Sequence, residues 1–94
     1  MPYVLIRHTV RNFKKWKPLY DAHGTTRKKG GSKGARLFRN MDKPKETVIL
    51  FKWSRADAAR KFAKSSDLRA RMKRAGVMGR PEVYFLEEVA HSRA

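Results

Sequence analysis

The chain has 94 residues, enough for one hydrophobic core and too few for a second domain. Its 40% hydrophobic and 11% aromatic content excludes intrinsic disorder, and the lack of cysteine excludes disulfides, thiol nucleophiles and cysteine-ligated zinc or iron–sulfur sites. Lys and Arg number 24 against 8 Asp and Glu, a formal net charge of +16, which attracts polyanions non-specifically at low salt. Thirteen of the basic residues fall in 1–47 and eleven in 48–94, with no basic arm, so the charge has the distribution of a solvated surface. Apolar runs stop at four or five residues, as in 47–51, too short for membrane insertion. Met1-Pro2-Tyr3 enters a strand-like stretch directly, leaving no place for a signal peptide, and the expected location is cytoplasmic.

Residues 3–10 alternate as a strand, with Val4, Ile6, His8 and Val10 on one face and Tyr3, Leu5, Arg7 and Thr9 on the other. Asn12 is an N-cap for a helix whose stripe is Phe13, Trp16, Tyr20 and His23, widened by Leu19. Pro18 must kink this helix or mark a restart, and the end is expected near Lys29, with Gly30-Gly31 as C-cap. A short strand over 35–39 and a turn over 40–45 lead to a third strand, 46–53. There Thr47, Ile49, Phe51 and Trp53 share a face opposite Val48 and Leu50. Two helices follow, one over 55–64 burying Ala59, Phe62 and Ala63, and one capped by Ser66 or Asp67 that buries Leu68, Met72 and Ala75 and ends at Gly76. A last strand covers 82–89, with Pro81 at its start.

The order βαββα(α)β predicts an α+β ferredoxin-like domain over residues 1–90, an antiparallel sheet with helices on one face, followed by a polar tail, 91–94. The first, third and last strands are apolar on both faces, and the helices can cover only one. A second copy is the simplest cover for the other, giving a homodimer through the sheet faces; the alternative is a monomer with an exposed apolar face.

Several stretches together resemble the antibiotic biosynthesis monooxygenase-like family of small dimeric α+β barrels. They are His8-Thr9-Val10, then Asn12-Phe13 with Trp16-Lys17-Pro18, Tyr20-Asp21 and His23, then Gly34 and Arg39-Asn40, and the ending Pro81-Glu82-Val83-Tyr84-Phe85-Leu86-Glu87-Glu88-Val89. The resemblance implies a sheet-to-sheet dimer with a pocket in each subunit between helices and sheet. Better-known relatives oxidise aromatic polyketides without a cofactor or degrade haem, and others only bind or isomerise small molecules. The haem-degrading set of Asn, Trp and His is not matched here, because Asn12 sits at a helix cap and Asn40 at a turn, so that activity is not carried over and no cofactor is expected. Lys52, Arg55, Arg71 and Arg80 stand where acids are expected to balance the surface.

Of three histidines, His91 lies in the tail, while His8 and His23 point toward the presumed helix side of the sheet. They are the candidate catalytic residues, since a neutral imidazole can take a proton from an acidic phenol or enol. Trp16, Tyr20, Trp53 and Phe85 are the candidate pocket walls for a small aromatic ligand. The plainer alternative makes all six residues part of the core. No metal site is expected: Asp21 and His23, two apart on a helix, point in different directions. The run Arg27-Lys28-Lys29-Gly30-Gly31-Ser32-Lys33-Gly34 lacks P-loop spacing and follows a helix, and Glu46-Thr47-Val48-Ile49-Leu50-Phe51-Lys52-Trp53 does not match an RNA-recognition strand. The expected function is thus oxidation or isomerisation of an aromatic or enolisable small molecule. The alternatives are a nucleic-acid or polyanion-binding module, or a surface-recharged scaffold without catalysis. If the charge is only a surface property, retention on immobilised DNA falls steadily with salt and is indifferent to sequence; sequence preference persisting at high salt contradicts it.

Overall fold

The computed structural model describes residues 2–93. Strand β1 (Pro2–Val10) is followed by helices α1 (Phe13–Ala22) and α2 (Gly24–Gly30), strands β2 (Ser32–Arg39) and β3 (Glu46–Trp53), helices α3 (Ala56–Lys64) and α4 (Ser66–Arg74), and strand β4 (Val77–Glu87). The sheet is antiparallel in the order β2-β3-β1-β4, with all four helices on one side: the α+β ferredoxin-like arrangement. Among the described residues no helix is long and apolar enough to cross a membrane.

The two central strands set the core. Val4 pairs with Phe51, Ile6 with Ile49 and His8 with Thr47, and all six side chains are buried on the helix side. Trp16, Ala59 and Leu68 close over them from α1, α3 and α4. On the opposite side Tyr3, Leu5, Val48 and Leu50 are half-buried, while Phe38, Tyr84 and Leu86 are 51%, 50% and 40% exposed. Leu5 lies directly between Leu50 and Tyr84. One end of this open face is polar, because Arg7 pairs with Glu46 and with Glu82, and Asn40 and the Tyr84 hydroxyl donate to the same two carboxylates.

Several element boundaries differ from the sequence expectation. Helix α1 runs through Pro18, which leaves the Lys14 carbonyl without its amide donor, and the interruption falls instead at His23. Gly24, a weak helix former, follows there, yet backbone bonds from His23 to Leu19 and from Arg27 to His23 carry the helical path across. The cap of α4 is Ser65, not Ser66 or Asp67: its Oγ accepts from the Leu68 amide at 3.1 Å, and the same residue ends α3. Strand β2 begins at Ser32, three residues early, through a register shift between Ser32 and Gly34. Strand β4 begins at Val77 instead of 82. Val77 and Met78 already pair with Val10 and Thr9, and pairing resumes at Glu82, so Gly79 and Pro81 lie in an irregularity within the strand. It ends at Glu87, two residues short of Val89.

Asn12 does cap α1, its Oδ1 accepting from the Lys15 amide at 3.2 Å. Gly31 ends α2 with φ +118°, where a Cβ would stand 2.9 Å from the Ser54 hydroxyl. Gly34 has φ +142° but open space around it. Both substitutions by alanine therefore carry backbone strain of about 1–3 kcal/mol, and only Gly31→Ala adds a clash. Urea unfolding should show the larger loss for Gly31→Ala; equal losses would contradict the close approach of this turn to Ser54.

Candidate functional site

Between the helices and the inner face of the sheet lies a cavity of about 110 Å³. Ile6, His8, Ile49 and Phe51 form its floor, α1 contributes Trp16 and Tyr20, and His23 and Arg27 come from the α1–α2 junction and α2. Phe62, Leu68, Arg71 and Met72 close it from α3 and α4. It is the size of a single ring, comparable to the roughly 150 Å³ apolar cavity that takes benzene.

His8 reaches this floor because β1 alternates and the register sets it beside Thr47. The Thr47 hydroxyl lies 2.7 Å from His8 Nδ1 and 3.2 Å from the His8 carbonyl. A carbonyl can only accept, so a hydroxyl proton given to it leaves the hydroxyl oxygen to accept from Nδ1–H. In that arrangement the ring is the Nδ1–H tautomer and its lone pair is on Nε2. Burial pushes the imidazole below its ordinary value, a small opposing effect coming from its own backbone carbonyl, so it is a neutral base at neutral pH.

Trp16 meets the His8 ring edge-on at 5.5 Å and stacks on Tyr20 at 5.0 Å. The Arg27 guanidinium caps the other end, 4.1 Å above the Tyr20 ring, while one of its nitrogens donates to the Tyr20 carbonyl at 2.9 Å. Arg27 is only 8% exposed, and among the described residues no carboxylate pairs with it. His23 is also buried. Among the described residues its Nε2 has no hydrogen-bond partner; the nearest acid is Asp67 at 3.7 Å, which is already bonded to Arg71 at 3.0 Å. Burial lowers the His23 pKa, Arg71 and Arg27 lower it further, and Asp67 opposes them.

Four of the six residues singled out in the sequence, His8, Trp16, Tyr20 and His23, line this cavity; Trp53 and Phe85 do not. Both stand at the Pro2–Val4 end of β1: Phe85 is opposite Val4, about 13 Å along the strand from His8, and Trp53 is six residues along β3 from Thr47, the partner of His8, about 20 Å away. Trp53 packs on Phe62 at 4.8 Å and under Gly30 and Gly31, and Phe85 lies beneath the Arg60 guanidinium at 4.5 Å. Arg27 and Thr47 escaped the sequence reading as site residues. For Arg27 a signal existed: Tyr20, His23 and Arg27 are spaced three and four apart along one helical stripe. Neither Asn12 nor Asn40 lines the cavity, and among the described residues no three His, Asp or Glu gather to hold a metal.

Solved structures share this fold. A candidate antibiotic biosynthesis monooxygenase from Bordetella bronchiseptica matches with a TM-score of 0.79 and 16% identity, over 95% of this chain and 97% of that one. SnoaB, a cofactor-independent oxygenase from Streptomyces nogalater, gives 0.78 at 16% identity over 99% and 97%. A conserved protein from Methanosarcina mazei Go1 gives 0.73 at 11% identity over 93% and 91%. The fold is that of the antibiotic biosynthesis monooxygenase-like structures. At these identities the likeness carries architecture and not a reaction. No protein-family model and no curated protein matches the sequence.

Because both cavity histidines have depressed folded pKa values, the unfolded chain binds more protons than the native one as pH falls below about 6.5. Their contribution to stability is fully present above that pH and is lost on acidification. The urea midpoint should therefore fall between pH 7 and pH 5, with a shallower slope in a His8→Gln, His23→Gln double variant. An identical slope in that variant would contradict the assignment of neutral buried imidazoles.

Proposed function

We infer that the protein is a small homodimer that binds an aromatic or enolisable molecule in this cavity and oxidises it without a cofactor. The observation that carries the reading is the arrangement of His8, with Nδ1 tied to Thr47 and Nε2 unbonded in a cavity walled by Trp16 and Tyr20. A base held in one tautomer by a hydroxyl can remove a proton from an activated methylene. The carbanion then transfers electrons to O₂ and forms a C–O bond, giving a peroxide at that carbon. Loss of the second methylene proton and cleavage of the O–O bond release water and leave a carbonyl, so that CH₂ + O₂ becomes C=O + H₂O with no external reductant. The same proton abstraction, followed by reprotonation elsewhere, is an isomerisation. The likeness in fold to the cofactor-independent oxygenase SnoaB supports the first outcome.

The dimer rests on the uncovered side of the sheet. Leu5 and Leu50 at its centre, with Phe38, Tyr84 and Leu86 around them, make a patch that a two-fold axis would bury twice. At +16 per chain a dimer carries +32, so association should weaken as salt is lowered.

Proton abstraction is measurable on its own. With 1-phenylpropan-2-one in D₂O, the protein should accelerate exchange of the methylene protons, followed by NMR, and His8→Gln should reduce the accelerated rate by about 10²-fold or more. Unchanged exchange in the variant would remove His8 as the base. Sedimentation should give a dimer at micromolar concentration and a monomer for Leu50→Glu; a wild-type monomer contradicts the sheet-face dimer.

A further inference from the structure

The charged side chains that line the cavity are all basic, and Asp67 stands just behind them, bonded to Arg71 and 3.7 Å from the His23 Nε2. Arg27, Arg71 and Arg74 line the cavity together with the two histidines, and no Asp or Glu does. Arg71 is half-exposed and already engaged by Asp67, so bulk surface charge explains it. Arg27 is different, being more than nine-tenths buried with a hydrogen bond from one nitrogen to the Tyr20 carbonyl, while its other nitrogens are left in contact with solvent and open to a ligand. Asp21, the acid nearest to it in the chain on the α1 side, is held by Lys17 at 2.7 Å. Stacking on Tyr20 at 4.1 Å and on Phe51 at 5.7 Å compensates part of the charge but satisfies no donor. A buried cation normally has an anionic partner. Next to Arg27 the buried His23 Nε2 makes no hydrogen bond among the described residues, its nearest acid, Asp67, standing 3.7 Å away.

We propose that the cavity is built for a small aromatic anion, whose carboxylate or phenolate oxygen is held by the Arg27 guanidinium, with the His23 Nε2–H as second donor and the ring between Trp16 and the Phe51 floor. The inference rests on the same cavity being a ligand site and does not depend on any reaction there. Arg27 is then the residue that fixes ligand charge and orientation, while His8 at the other end of the aromatic stack meets the reacting carbon. An arginine fork suits a carboxylate because two parallel N–H groups match its two oxygens.

The test compares phenylacetate with its neutral isostere phenylacetamide by calorimetry on the wild type, Arg27→Gln, Arg27→Lys and, as a surface-charge control, Arg80→Gln. The wild type should bind the acid at least tenfold tighter than the amide. Arg27→Gln should lose that preference while keeping the amide affinity, Arg27→Lys should keep part of it, and Arg80→Gln should leave it unchanged. Equal affinity of acid and amide for the wild type overturns the anion inference and leaves the pocket standing. A preference that survives in Arg27→Gln assigns it to bulk charge and also overturns it. Binding of neither ligand removes the cavity as a site and both readings with it. Should Arg27→Gln fail to fold, the Arg27 Nε–H resonance of the wild type decides: it should shift with phenylacetate and not with phenylacetamide, and no shift overturns the proposal.

Discussion

The antiparallel register of β1 on β3 decides nearly everything else in this molecule. With Val4 opposite Phe51, Ile6 opposite Ile49 and His8 opposite Thr47, one face carries the core and the floor of the cavity, and the other carries Leu5, Leu50 and Val48. A slip of one residue would exchange the two sets, placing His8 outside and Arg7 among the helices. The register is held from both sides. Arg7, Glu46 and Glu82 form an ion-paired cluster on the open face, and the Thr47 hydroxyl holds the His8 ring on the inner one. The same pairings that fix the sheet thus orient the base.

Within the cavity, desolvation acts on two cationic groups with different results. It lowers the pKa of both His8 and Arg27. For an imidazole, which titrates close to neutrality, that suffices to remove the charge. For a guanidinium, titrating far above neutrality, it does not, and the positive charge remains against Tyr20 and Phe51. Burial therefore leaves one neutral base and one fixed cation at opposite ends of the stack from His8 through Trp16 and Tyr20 to Arg27. This polarity gives a bound ligand a direction.

Strong local patterns made the architecture readable in the sequence. The alternation in β1 and β3, the Asn12 cap and the glycines after Lys29 mark their elements without help from the rest of the chain. The misplaced strand starts share one cause. Gly34, Gly79 and Pro81 are turn residues by composition, yet tertiary pairing draws them into irregular strands that no local pattern announces. The site was legible in part for the same reason. His8, Trp16, Tyr20 and His23 lie on faces that periodicity defines, whereas separating Trp53 and Phe85 from them requires knowing which end of a strand the helices leave open. Arg27 was hidden by its own neighbours, since Arg27-Lys28-Lys29 reads as a helix-end charge run, which masks its three-and-four spacing after Tyr20 and His23, and packing turns its first member inward.

Proton abstraction in the cavity depends on His8 being a neutral base with a free Nε2. Long-range ¹H–¹⁵N correlation of the histidine rings at neutral pH tests this most directly. The prediction is a single Nδ1–H tautomer for His8, moving toward rapid tautomer averaging when Thr47 is replaced by valine. An Nε2–H tautomer, or a protonated ring at neutral pH, would contradict it.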